Sequence, residues 1–168
     1  MNGKHRVIVQ NKRLHYELEI KRNITIIKGD SATGKTNLIN MLRAAENLGD
    51  GSGVTISCDV PCRVLEGANW KIILEASQKT IFFTDEENHF IKTEAFAAAV
   101  NGSDNYFVII TRENLSNLPY SVEEIYGLYS SGRYQNTKRI YQQFYRIYPD
   151  TAREAVRPEC MIKTGQGF

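Results

Sequence analysis

The chain has 168 residues, 42% of them hydrophobic and 24% charged, with a formal net charge of +2. That length suits one compact domain and is short for two ordinary ones. The balanced charge gives no argument for a nucleic-acid partner, no run approaches the ~20 apolar residues of a membrane span, and Met1-Asn2-Gly3-Lys4-His5-Arg6 lacks a signal-peptide apolar core, so the expected compartment is the cytosol.

Residues 6–10 carry Val7, Ile8 and Val9 and read as a strand, with a turn at Asn11-Lys12. Leu14, Tyr16, Leu18 and Ile20 then alternate with His15, Glu17, Glu19 and Lys21, the period-two pattern of a half-exposed strand. A hairpin is therefore expected before Ile24-Thr25-Ile26-Ile27, a short buried-strand signal. Residues 29–36 read Gly-Asp-Ser-Ala-Thr-Gly-Lys-Thr. A helix follows from Asn37, with Leu38, Ile39, Leu42 and Ala45 at helical spacing. Residues 49–53 form a glycine-rich loop. Strands are expected over 54–58 and 63–65, then a helix over 68–77 through Trp70, Ile73 and Leu74. Residues 80–84 form a compact buried strand ending in Asp85-Glu86-Glu87. An alanine-rich helix over 92–100 precedes Tyr106–Thr111, the strongest strand in the chain. Residues 136–148 read as an amphipathic helix through Ile140, Phe144, Ile147 and Tyr148. Alternating strands and helices imply an α/β fold with an at least partly parallel sheet. The three cysteines, Cys58, Cys62 and Cys160, are odd in number and read as free thiols rather than as a disulfide framework or metal site.

The segment from Gly29 to Thr36 fits the phosphate-binding pattern G-x-x-x-x-G-K-[ST] in full. Gly29 and Gly34 let the backbone curl so that successive N–H groups point at one centre. The following helix adds the positive end of its dipole. Gly29, Asp30, Ser31, Ala32, Thr33, Gly34, Lys35, Thr36 and Asn37 are the expected nucleotide contacts, with Lys35 on the β- and γ-phosphates and the Thr36 hydroxyl on Mg²⁺. Asp85 closes an apolar strand, and ligands gather at the carboxyl ends of strands in open α/β sheets. It is expected near Thr36, holding Mg²⁺ through a water. Glu86 is placed to orient or deprotonate an attacking water. Without the glycine loop, Asp85-Glu86-Glu87 would read equally well as a solvated acidic turn. Thr111 and Arg112 cap the strongest strand and are expected to sense the γ-phosphate and to stabilise transition-state charge, against the plainer reading of a surface loop.

These two segments resemble the Walker A and Walker B elements of the P-loop NTPases, in the branch with an Asp-Glu pair and an extra central strand. The opening hairpin is similar to that of ABC-type and AAA-like ATP-binding proteins, including the ATPase heads of the overcoming-lysogenisation-defect nucleases. The resemblance covers roughly residues 5–112. It implies a three-layer sandwich with a mostly parallel central sheet and an N-terminal antiparallel hairpin, over a domain spanning 1–148, with 149–168 as a tail, lid or subunit contact. It implies ATP and Mg²⁺ as cofactors and ATP hydrolysis catalysed by Lys35 and Glu86, to which the place of Arg112 after the strongest strand adds a third catalytic candidate. Two departures stand out. No L-S-G-G-Q signature lies between the two elements, and no N-K-x-D motif supports guanine.

Residues 120–148 interleave Tyr120, Tyr126, Tyr129, Tyr134, Tyr141, Tyr145 and Tyr148 with Arg133, Lys138, Arg139 and Arg146. Such a mixture can stack bases, pack as a helix with tyrosines at its edges or anchor a protein partner or second copy. Glu123, Glu124 and Asp150 dilute the charge and favour packing over nucleic acid. The function expected is a small Mg²⁺-dependent ATPase that switches a partner or nucleic-acid complex. The alternatives are a nucleotide or metabolite kinase, with Arg133, Lys138 and Arg139 as a lid, and a non-hydrolysing nucleotide-binding assembly module.

Overall fold

The computed structural model describes residues 4–28, 32–130 and 140–147. The chain opens with a hairpin of β1 (His5–Gln10) and β2 (Leu14–Ile20), paired antiparallel from His5↔Ile20 to Gln10↔His15. Asn11 makes the turn, its side-chain oxygen accepting from the N–H groups of Arg13 (2.8 Å) and Leu14 (2.7 Å). Leu14, Tyr16, Leu18 and Ile20 are all buried, as the period-two pattern predicts. Next come β3 (Ile24–Ile27) and the long helix α1 (Ala32–Leu48). Two short strands, β4 (Thr55–Ser57) and β5 (Cys62–Val64), lead to α2 (Trp70–Glu75). β6 (Ile81–Asp85), α3 (Glu94–Asn101) and β7 (Tyr106–Ile110) follow, with the Thr93 hydroxyl capping α3 at the Phe96 N–H. β8 (Ile125–Ser130) and β9 (Ile140–Arg146) complete the described strands.

All nine strands form one sheet in the order β4-β1-β2-β9-β8-β3-β7-β6-β5. β3 runs parallel to β7 and β8, β6 to β5 and β7, and β2 to β9. The β1–β2, β1–β4 and β8–β9 pairs are antiparallel. The fold is therefore mixed α/β with a mostly parallel sheet behind an antiparallel hairpin. Laid flat, nine strands would span roughly 38 Å. Yet β4 and β5, the two outer strands, are joined through residues 58–61, a link that reaches at most about 19 Å. The outer strands are thus drawn together and the sheet curls around α1. His5 of β1 accordingly reaches across to the Tyr106 hydroxyl of β7 (2.9 Å).

Side chains of the central strands alternate between two cores. Ile27, Ile81, Phe83, Val108 and Ile110 pack with Leu38, Ile39, Met41 and Leu42 of α1. Ile24, Ile26, Phe82, Phe107 and Ile109 pack with Leu74 of α2 and Phe96 and Val100 of α3. One buried polar atom between strands has no hydrogen-bond partner among the described residues, the Thr25 hydroxyl of β3. Leaving such a group unpaired costs about 1–3 kcal/mol. Thr25→Val is therefore expected to raise unfolding free energy by about 1 kcal/mol, measured by urea denaturation. A loss of stability would show that the hydroxyl has a partner.

The structure corrects the sequence reading at residues 140–147. Residues 140–146 form strand and Ile147 a bend, not helix, while 136–139 and 148 lie outside the described residues. The spacing of Ile140 and Phe144 was ambiguous, because residues four apart share a face in both a helix and a strand. Phe144 and Ile147 decide between the two. A helix would put them on one face, whereas Phe144 packs in the α1 core and Ile147 in the opposite one. Backbone pairing to β2 on one side and β8 on the other, with β-branched and aromatic residues in the run, outweighs the helical pattern. β8 had no counterpart in the sequence reading. Gly127 obscures it, and the structure shows why a glycine is there. Tyr145 is its cross-strand partner, and the tyrosine ring lies over the space a Cβ would fill.

Candidate functional site

The site begins with strand register. Ile110 of β7 pairs with Ile27 of β3 on one side and with Asp85 of β6 on the other. The three strands are parallel, so their carboxyl ends lie in one row. Lys28, Glu86 and Thr111 all leave the sheet from that row. The Thr111 N–H donates to the Ile27 carbonyl (3.0 Å) and extends the ladder one step.

Lys35, Thr36, Asp85, Glu86, Thr111 and Arg112 line one cavity of about 160 Å³, with Glu87 and Ile110. These were the expected phosphate, metal and catalytic residues, and they meet at one place. Gly29, Asp30 and Ser31 lie outside the described residues, and Ala32 and Thr33 are described as backbone in the first turn of α1. Asn37 is not brought to this cavity. It lines a separate one with Asn11, Arg13 and Met41. A larger groove of about 670 Å³ runs between α2 and α3 past Asp104 and Asn105, at the opposite ends of the strands. The smaller cavity brings two cations, two hydroxyls and three carboxylates together, and it is the candidate site.

Lys35 is only 7% exposed and directly follows the buried Gly34 in the first turn of α1. Asp85 is half-buried and accepts from the Glu87 N–H and the Asn88 amide, both at 3.2 Å. Burial pushes its carboxyl above the ordinary range, against the pull of the Glu87 N–H. Glu86 is tied to β7's tip. Its Oε1 accepts from the Arg112 N–H (2.7 Å) and the Thr111 hydroxyl (3.3 Å), and its Oε2 from Arg112 Nε (3.1 Å) and Nη2 (3.0 Å). The Arg112 N–H, then its guanidinium, hold the Glu86 carboxyl below the ordinary range.

Three supporting residues were missed from sequence. Asn88 steadies Asp85 and also accepts from the Gly67 N–H (3.3 Å). Tyr16 donates to the Gly34 carbonyl (2.6 Å). Arg43 makes a two-point bridge to Glu66 (3.0 and 2.8 Å), and its charge also acts on Asp85 and Glu87. Arg43 lies seven residues after Thr36, two helical turns on the same face, and that spacing was legible. The Arg43 partner holds the Glu66 carboxyl below its ordinary range. The stability this pair contributes is full above the unfolded-state glutamate pKa, near 4.3, and is lost as pH falls through the lower folded value. Both side chains are more than a third exposed, so the effect is under about 1 kcal/mol. Wild type is expected to lose slightly more stability than Glu66→Gln between pH 6 and about 3, read by thermal unfolding. Equal losses would show the pair contributes nothing.

No group of three or more His, Cys, Asp or Glu among the described residues is arranged to hold a metal. Cys58 and Cys62 are free and half-buried, and Cys160 lies outside the described residues. Thr36 and Asp85 offer one hydroxyl and one carboxylate. That donor set suits Mg²⁺, which keeps several waters and takes other ligands from a substrate phosphate. The chain matches no protein-family model and shows no significant similarity to a curated protein.

Proposed function

We propose that the chain is a P-loop NTPase that binds ATP with Mg²⁺ and hydrolyses it to switch a partner. One observation carries the reading: the Ile27–Ile110–Asp85 row, which sets the glycine-loop strand and the acidic strand on either side of β7. That arrangement is what the resemblance to the Asp-Glu branch of these proteins anticipates. In this reading the loop amides and Lys35 bind the triphosphate, and Thr36 and Asp85 hold the ion that neutralises its β- and γ-oxygens. Most of the rate effect is electrostatic, from cations placed in advance where charge develops. Glu86 orients or deprotonates the attacking water. Arg112, expected from sequence to stabilise transition-state charge, is here the residue that holds Glu86. A further arginine from another subunit completes the charge balance in this account, and the exposed Tyr145 belongs to the surface proposed for a partner.

The test is release of phosphate from ATP by the purified chain with Mg²⁺. Slow basal turnover supports the reading, and a rate that rises only with an acceptor hydroxyl would favour the kinase alternative. A non-hydrolysing module is the second reading. It is favoured by one observation, that four hydrogen-bonding contacts engage both Glu86 oxygens.

A further inference from the structure

We infer that Tyr16 is a positioning residue for the nucleotide loop: its hydroxyl fixes the Gly34–Lys35 peptide and so aims the Lys35 N–H at the phosphate site. The inference rests on the P-loop reading and adds to it a residue that lies outside the motif.

Tyr16 sits in the middle of β2, in the hairpin sheet, eighteen residues before Gly34. It is 1% exposed, and its hydroxyl donates to the Gly34 carbonyl at 2.6 Å. A buried hydroxyl needs a partner. The partner used is Gly34, the third residue of α1. Glycine is a weak helix former and offers no side chain to pin this first turn. The peptide unit is planar and trans, so its C=O and the next residue's N–H point in opposite directions. Holding the Gly34 carbonyl toward β2 therefore holds the Lys35 N–H away from β2. Lys35 itself lines the cavity with Thr36 and Asp85. A loop amide that must be aimed before the anion arrives binds better when it is already fixed.

The donor is dependable. Burial pushes the Tyr16 phenol up to about 12, so it remains protonated throughout the working range. Phe144 of β9 lies beside its ring, with centroids 6.5 Å apart, and has no part in the bond to Gly34.

Tyr16→Phe removes only the hydroxyl, and Phe144→Leu loosens the ring without touching the bond to Gly34. Titrate each full-length variant with the Mg²⁺ complex of a non-hydrolysable ATP analogue, and follow the Lys35 backbone amide by ¹H–¹⁵N NMR. Tyr16→Phe is expected to stay folded and bind roughly five- to tenfold more weakly, about one hydrogen bond's worth, with a smaller Lys35 amide shift on binding. Phe144→Leu is expected to lower the melting temperature and keep near wild-type affinity and amide shift. Unchanged affinity and shift in Tyr16→Phe overturn the positioning role alone, as does an equal loss of both in Phe144→Leu. Absence of binding by the wild type overturns this inference together with the P-loop reading. If Tyr16→Phe fails to fold, Tyr16→3-fluorotyrosine replaces it. That substitution keeps the shape and the donor, and affinity below wild type at neutral pH would count against the inference.

Discussion

Lys35→Ala is expected to lower ATP turnover by at least about 100-fold and to weaken nucleotide binding in parallel. Lys35 lines the cavity and is 7% exposed. In this account its charge meets the β- and γ-phosphates. Charge placed before reaction, in a site shielded from water, is worth far more than the same charge in solution, and removing one such donor usually costs 100- to 1,000-fold in rate. The measurement is steady-state phosphate release alongside nucleotide titration. Losing turnover with binding intact would move Lys35 from gripping the ground state to the transition state alone. Full activity would remove the basis of the reading.

The second large effect concerns Glu86 and Arg112. Glu86→Gln is expected to lower turnover by about 100-fold or more, within the range for general-base catalysis, with nucleotide affinity retained. Arg112→Ala is expected to cost roughly tenfold, about the worth of one charge-assisted hydrogen bond. The decisive case is the double variant. Arg112 contacts Glu86 through its main-chain N–H and both Nε and Nη2. If its task is to hold that carboxylate, removing it from a chain that already lacks the carboxylate changes little. Glu86→Gln/Arg112→Ala is therefore expected to match Glu86→Gln within about twofold, a non-additive result. Additive losses would give Arg112 a separate task on the phosphate, as the sequence suggested. Wild-type turnover in Glu86→Gln would show that Glu86 is not the general base.

Much of this was legible before any coordinates, for identifiable reasons. The hairpin was written in strict period-two burial from Leu14 to Ile20, with Asn11 in the turn. β3, β6 and β7 were short apolar runs, buried on both faces and bounded by polar residues, and their carboxyl ends bear the site. Asp85 and Thr111 could be placed because parallel strands end together. The rest depended on long-range pairing, which local pattern does not encode. β9 reads as a helix until β2 and β8 flank it, and β2 precedes it by some 120 residues of chain. The curl of the sheet follows from strand order together with the short link between β4 and β5. Tyr16 looked like one more core residue on an alternating strand, since nothing local marks its hydroxyl as facing Gly34. The pairing of Glu86 with Arg112 was hidden for a similar reason: both residues had been given separate tasks on the nucleotide, and only the adjacency of β6 and β7 makes them partners.

The most direct measurement is a calorimetric titration of the purified wild-type chain with ATP in the presence of magnesium, repeated without the metal. The account predicts a saturable one-to-one complex in the micromolar range that weakens when magnesium is withheld. Heat no different from dilution, up to millimolar nucleotide, would contradict it.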